Sequence, residues 1–154
     1  MTQVKPRHVA GAMGACALFV AGFEGVREHA YRDVSPARVW TVCAGETAGV
    51  RAGDHYTRAE CIDMLEKRLE GFSAGVRGCL KEEQPQARMI ALTSLAYNIG
   101  TGAFCSSSVA RLINAGETRA ACDAILKWNR AGGIVFPGLT RRRQAERALC
   151  LEGL

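Results

Sequence analysis

The spacing of apolar residues predicts a mainly helical chain with one small sheet. Apolar side chains at helical intervals, together with the positions of capping residues and glycines, predict helices over 57–76, 85–98, 107–115, 118–131 and 140–152. Between 24 and 56 the pattern changes to short alternating runs such as Val39–Val42, which are typical of a β-hairpin. We therefore expect an α+β fold, in which a long helix joins a small N-terminal β-hairpin lobe to a larger helical lobe.

Several residues mark where these helices begin. Thr57 and Glu60 have the spacing of a capping box, in which the hydroxyl and the carboxyl each accept a hydrogen bond from the other residue's backbone N–H. Pro85 occupies a position where its fixed φ favours a first helical turn. Thr140 is expected to open the last helix.

Residues 1–23 form a weakly hydrophobic segment that precedes the predicted main domain, 24–154. Lys5 and Arg7 are followed by the uncharged run 9–23, which is shorter than the roughly 20 residues of a membrane-spanning helix. Three interpretations stay open: a first helix buried on all sides, a weak and reversible membrane anchor, or a cleaved signal peptide. The third would place the cut directly beside Glu24.

Composition and charge narrow the classes of function. The chain has 154 residues, 48% hydrophobic and 23% charged, which is ordinary for one globular domain. A net charge of +5 suits an anionic partner such as nucleic acid, a membrane surface or a bacterial cell wall. The basic run 141–143 permits nucleic-acid binding, but aromatic residues are 6% and the chain shows no nucleic-acid-binding motif, so we expect no nucleic acid as partner.

Seven cysteines are many for a chain of this length and indicate an oxidising compartment. They include no CxxC pair, and the three histidines, His8, His29 and His55, are scattered, so we expect no metal site. We expect no organic cofactor either, since proton transfer and attack by water need none. The simplest arrangement is three disulfides and one remaining thiol.

Two acidic residues are candidates for acid–base chemistry. Glu24 follows the apolar stretch 18–23, and loss of solvation there would favour its protonated form near neutral pH. Asp33 lies among polar residues, where it should stay ionised. Glycosidic bond cleavage requires two carboxyl groups that differ in this way, although solvated surface acids would give the same pattern.

The stretch FEGVREHAYRDVSPARVWTVCAGET resembles the active-site region of bacteriophage lysozymes, glycoside hydrolase family 24. The shared features are Glu24–Gly25, then Ala30-Tyr31-Arg32-Asp33, nine residues from Glu to Asp, and then the tryptophan-threonine block. Two further blocks, 92–104 and 138–150, resemble family segments in the same order. The resemblance covers 15–151 and implies a lysozyme-like α+β fold.

The resemblance also implies roles for single residues. Glu24 matches the general acid, and Asp33 and Thr41 match the pair that positions a water, which implies inversion at the sugar carbon. Arg142 or Arg143 matches a cationic partner near Glu24, or else belongs to a solvated basic face. The interval from Asp33 to Thr41 is two residues longer than usual, and we expect the hairpin tip to absorb the excess. Glu46 stands where the family has histidine.

Cysteines at four of the seven positions resemble those of lambdoid phage endolysins, which leave the inner membrane from a weak N-terminal signal anchor. We hypothesise the pairs Cys43–Cys61, Cys79–Cys105 and Cys122–Cys150, with Cys16 as the free thiol, although sequence alone allows other connectivities. The resemblance implies the host periplasm, with a membrane tether through 9–23 before release. The alternative is the host cytoplasm until a holin permits escape.

The function implied is that of a monomeric endolysin. It would hydrolyse the β-1,4 bond between N-acetylmuramic acid and N-acetylglucosamine of peptidoglycan and so lyse the host. A lytic transglycosylase is the enzymatic alternative, but it uses one acid and no water-positioning pair, so Asp33 and Thr41 argue against it. A non-enzymatic basic protein that disrupts membranes is the alternative from another class.

Overall fold

The computed structural model describes residues 11–154, and the sequence predictions for residues 1–10 lie outside this range. The described residues form seven α-helices, one 3-10 turn and four short strands. In chain order these are α1 (Ala12–Glu24), β1 (Arg27–Arg32), β2 (Trp40–Cys43), α2 (Arg58–Cys79), α3 (Gln86–Ile99), α4 (Thr101–Cys105), α5 (Ser108–Asn114), α6 (Thr118–Ala124), the 3-10 turn (Ile125–Lys127), β3 (Arg130–Ala131), β4 (Ile134–Val135) and α7 (Pro137–Leu151). The α+β expectation is confirmed.

The chain divides into two compact units within α2, the first ending at Glu66 and the second running Lys67–Leu154. In the first unit β1 and β2 form an antiparallel hairpin, as the alternating pattern predicted. A small apolar core lies behind the hairpin and includes Val42, Cys43 and Cys61, all at most 2% exposed. A disulfide joins Cys43 to Cys61 and ties β2 to the start of α2.

Helix α2 begins where the capping box predicted. The Thr57 backbone N–H donates to Glu60 Oε2 at 2.7 Å, and the Glu60 N–H donates to Thr57 Oγ1 at 3.2 Å. These two bonds satisfy donors that have no partner inside a helix. The helix continues to Cys79, three residues beyond the predicted end.

The second unit is built around α3, whose residues 88–96 are all buried. Its apolar core combines Leu92 and Leu95 with Phe104, Val109 and Ile125, each fully buried. Helices α5, α6 and α7 also contribute to this core. The Cys79–Cys105 disulfide joins the end of α2 to α4, and Cys122–Cys150 joins α6 to α7. The three disulfides of the structure are therefore the three pairs hypothesised from the sequence.

Two predicted helix boundaries in this unit were wrong, and one short helix was missed. The helix predicted over 118–131 ends at Ala124, because a 3-10 turn and then the β3–β4 hairpin follow it. The hairpin turns at Gly132 and Gly133, whose φ angles of 57° and 79° suit residues without a side chain. Helix α7 begins at Pro137 and not at Thr140. Proline suits the first helical position because its φ is already helical and the N–H it lacks would have no partner within the helix. The short helix α4 was not predicted.

Helix α1 is buried along one face and not on all sides. Cys16, Ala17 and Val20 are at most 1% exposed, whereas Leu18 is 54% exposed. Of the three interpretations left open for this segment, a helix buried on all sides is therefore wrong, because a helix that packs against one surface hides only one face. No helix within 11–154 has both the length and the apolarity to cross a membrane.

Candidate active site

The β1–β2 hairpin brings Asp33 and Thr41 to one face. Tyr31 pairs with Thr41 across the two strands, and the Asp33 N–H donates to the Val39 carbonyl at 3.0 Å. Since side chains alternate along a strand, Tyr31 and Asp33 share a face with Thr41 and Val39. Asp33 and Thr41 are therefore diagonal neighbours, whose backbones lie about 7–8 Å apart and whose β-carbons lie closer.

Backbone contacts orient both polar side chains. Asp33 Oδ1 accepts a hydrogen bond from the Val34 N–H at 2.7 Å, which fixes the carboxylate at the start of the hairpin tip. The Thr41 hydroxyl donates to the Val39 carbonyl at 3.3 Å, and Thr41 is 5% exposed. With its hydrogen directed at a carbonyl, the hydroxyl presents its lone pairs as acceptors.

The hairpin tip between Asp33 and Val39 forms a tight turn. The Arg38 N–H donates to the Ser35 carbonyl at 2.9 Å, which closes a tight turn, and Arg38 takes a φ of 46°. Val34 is fully exposed beside this turn. The tip therefore extends into solvent while the Tyr31–Thr41 pairing holds at its base.

Glu24 is the last residue of α1. Gly25 follows with a φ of 73°, a conformation that suits glycine, and turns the chain towards β1. Glu24 is exposed, and on its own helix Leu18 and Phe23 are 54% and 38% exposed. The expectation that the apolar stretch shelters this carboxyl was wrong, because these side chains leave solvent access to the end of the helix.

Arg142 and Arg143 are buried within the second unit, at 4% and 0% exposure, so a solvated basic face is wrong for both. Their shared anion there is Glu146, which is also fully buried. Arg143 Nε lies 2.7 Å from Glu146 Oε2, and Arg142 Nε lies 3.3 Å from Oε1. Ser94 donates to Oε1 at 2.6 Å, and Arg143 also donates to Asn98 at 2.9 Å.

Glu146 was not among the residues predicted from the sequence. The signal was its spacing, since it follows Arg143 by three residues and Arg142 by four, which places all three on one side of a helix. Burial raises the pKa of Glu146 above its usual value, and Arg143, Ser94 and Arg142 each act in the opposite direction. The cluster is thus a buried polar network on α7 and α3.

Glu46 lies in the tight turn after β2, where its backbone N–H and carbonyl both bond to Val42. This backbone pairing places the residue at the base of the hairpin, and its side chain is half-buried. Across 11–154 the structure contains no group of three or more side chains arranged to hold a metal ion.

Comparisons with known proteins agree with this architecture. The Phage lysozyme family model matches residues 21–146, a span that includes both hairpin residues, Glu24 and the buried arginine pair. Among curated sequences, the SAR-endolysin of Enterobacteria phage P21 is 38% identical, over 94% of each chain.

Two solved structures are also similar. The muramidase domain of SpmX from Asticaccaulis excentricus has a TM-score of 0.81 and 30% identity, and the alignment covers 94% of this chain and 99% of that one. A mutant of P22 lysozyme has a TM-score of 0.82 and 29% identity, with 98% and 99% covered. The lysozyme-like fold is therefore shared with both.

Proposed function

Because this chain belongs to the phage lysozyme family, it is a peptidoglycan-lysing muramidase, and we propose that Glu24, Asp33 and Thr41 carry out its reaction. The bond broken is the β-1,4 linkage between N-acetylmuramic acid and N-acetylglucosamine. The observation that carries the proposal is the placement of Asp33 and Thr41 on one hairpin face, with backbone contacts orienting both.

In this mechanism Glu24 donates its proton to the glycosidic oxygen as the bond to the sugar carbon breaks. A water held between Asp33 and Thr41 attacks that carbon from the opposite side. Both side chains act as acceptors: the Asp33 carboxylate takes one water hydrogen, and the lone pairs of Thr41 Oγ1 take the other. The water's own lone pair is then available for attack, and Asp33 keeps the proton that water loses. Attack opposite the leaving group inverts the configuration.

Activity of variants tests the assignment. We expect Glu24→Gln and Asp33→Asn to lower the rate of clearing of outer-membrane-permeabilised Gram-negative cells by about 10²–10⁴-fold, the usual contribution of acid–base groups. Glu70→Gln, on an exposed position of α2, is the matched control and should clear cells at the wild-type rate. Equal clearing by all four proteins would refute the proposal.

Product analysis separates the proposed mechanism from its alternatives. Proton NMR of the first products should show the α-anomer at the new muramic acid end if the reaction inverts. The β-anomer would indicate retention, and a 1,6-anhydro end would indicate a lytic transglycosylase. Killing by Glu24→Gln without sugar release would identify a membrane-disrupting protein.

We further propose that the protein acts as a monomer in the periplasm, with peptidoglycan and not nucleic acid as its partner, and that residues 9–23 associate with the inner membrane before release. The support is the basic start and uncharged run of the sequence, the three disulfides, and relatives named SAR-endolysin. Fusion of residues 1–23 to a periplasmic reporter tests the tether. A purely cytosolic product would instead favour holin-dependent escape.

A further inference from the structure

Two histidines far apart in sequence are direct neighbours across strands in the first unit. The Tyr56 N–H donates to the Glu28 carbonyl, and the Ala30 N–H donates to the Asp54 carbonyl, both at 2.9 Å. These bonds bracket His29 and His55, which form an antiparallel bridge with no hydrogen bond between their own backbones. Side chains approach each other most closely at pairs of this type.

The two imidazole rings are in contact at the surface. Their centroids are 4.3 Å apart and their planes make an angle of 40°. Because the rings are tilted and not parallel, their edges converge on one side. Both residues are exposed, and the side chain of His55 keeps 49% of its surface, so rotation of either ring meets little steric resistance.

The surroundings of this pair favour a cation. Glu28 Oε2 lies 3.9 Å from His55 Nε2, at the rim of the pair. Asp54 adjoins His55 in sequence, and its Oδ2 accepts a hydrogen bond from the Arg51 N–H at 2.7 Å. Arg27, the nearest base on β1, has its guanidinium carbon 4.3 Å above the Tyr31 ring. The Glu28 carboxylate therefore lies beside the imidazoles, whereas the Asp54 carboxylate is held by the Arg51 backbone.

We propose that His29 and His55 form a surface binding site for one divalent transition-metal ion of the Zn²⁺, Ni²⁺ or Cu²⁺ class. Imidazole nitrogen is the common protein ligand for these ions, at about 2.0–2.1 Å in the case of zinc. One nitrogen of each ring binds the ion once ring rotation directs both nitrogens towards it. Water completes the coordination, and Glu28 contributes its charge from the rim.

The chemistry of the donors also sets what the site rejects. Ca²⁺ and Mg²⁺ take oxygen ligands, so two imidazoles give them no site. Acid abolishes binding, because imidazole binds a metal in its neutral form. The ion bridges β1 and the segment that carries His55, and this role is independent of the proposed hydrolysis.

Isothermal titration with Zn²⁺ at pH 7.5, in a buffer that does not bind metals, tests the site. We expect one equivalent of zinc per chain, with binding weakened at least about tenfold by either His29→Phe or His55→Phe, since the second imidazole binds intramolecularly. Phenylalanine keeps a ring against the remaining histidine, so each variant retains the contact but loses one ligand. His8→Ala, at the third histidine of the chain, is the matched control and should bind as the wild type does.

Three results would overturn the proposal: unchanged zinc affinity in both phenylalanine variants, loss of binding in His8→Ala, or a stoichiometry of one ion per two chains. Histidine Cε1–H signals in proton NMR give a second measurement, and zinc should shift two of the three while Ca²⁺ shifts none. Clearing of cells by the zinc-free protein is expected to be the same in His29→Phe as in the wild type, which separates this inference from the proposed function.

Discussion

Removal of the Glu146 carboxylate should strongly destabilise the second unit. Glu146 is fully buried and contacts Arg143 at 2.7 Å, Arg142 at 3.3 Å and the Ser94 hydroxyl at 2.6 Å. In Glu146→Ala the two buried guanidinium groups lose this anion, and breaking a buried ion pair in this way costs about 3–5 kcal/mol. For a chain of this size the same loss lowers Tm by about 6–20 °C.

The assay is urea unfolding at pH 7 followed by far-UV circular dichroism, with calorimetry for Tm. Glu83→Ala, which removes an exposed carboxylate, is the control and should stay within about 0.5 kcal/mol of the wild type. Glu146→Gln keeps the side-chain length and one acceptor oxygen, so its free energy of unfolding should fall less than that of Glu146→Ala. If Glu146→Ala unfolds at the same urea concentration and the same Tm as the Glu83→Ala control, the buried ion pairs do not stabilise the fold.

Three further predictions concern the same unit. A Cβ added at Gly75 would lie 2.6 Å from Thr101 Cγ2, whereas one added at Gly78 would meet nothing within 4 Å. Gly75→Ala should therefore be about 1–3 kcal/mol less stable than Gly78→Ala. In a double-mutant cycle, Thr101→Ala should remove most of that difference. Replacing the Cys122–Cys150 disulfide, with its separation of 28 residues, by two alanines should cost about 3–4 kcal/mol in chemical denaturation. The raised pKa of Glu146 means that the folded state binds this proton more tightly than the unfolded chain does. The stabilisation from that proton is complete below a pH of about 4.3 and is lost as pH rises through the higher folded-state pKa. The free energy of unfolding of the wild type, relative to Glu146→Gln, should therefore fall over that pH interval.

The residues of the candidate site were predicted from the sequence, but the environment of Glu24 was not predicted correctly. Asp33 and Thr41 were named from a resemblance, and the hairpin places them on one face because strand pairing follows from the alternating pattern and the turn between them. The environment of Glu24 was predicted from its sequence neighbours and was wrong. Those neighbours point partly into solvent, and the exposure of a helix end depends on what packs around it.

The burial of the arginine pair was also not predicted from its sequence neighbours, which favour exposure to solvent. Arg142 and Arg143 lie in a basic run that suggests a surface, yet both are buried beside Glu146. Their spacing from Glu146 was visible in the sequence, but Ser94, which completes the network, comes from α3. The burial of a charge depends on such distant partners and on the surface that covers it.

The sequence by itself determined the features that depend on neighbours a few residues apart. The start of α2 is an example, because Thr57 and Glu60 satisfy each other's backbone donors without help from elsewhere. Tertiary structure alone decided which face of α1 is buried, that the arginine pair lies inside, and that His29 meets His55. The physical reason is that capping bonds form within one turn of chain, whereas burial and ring contact require segments that the fold brings together from distant positions.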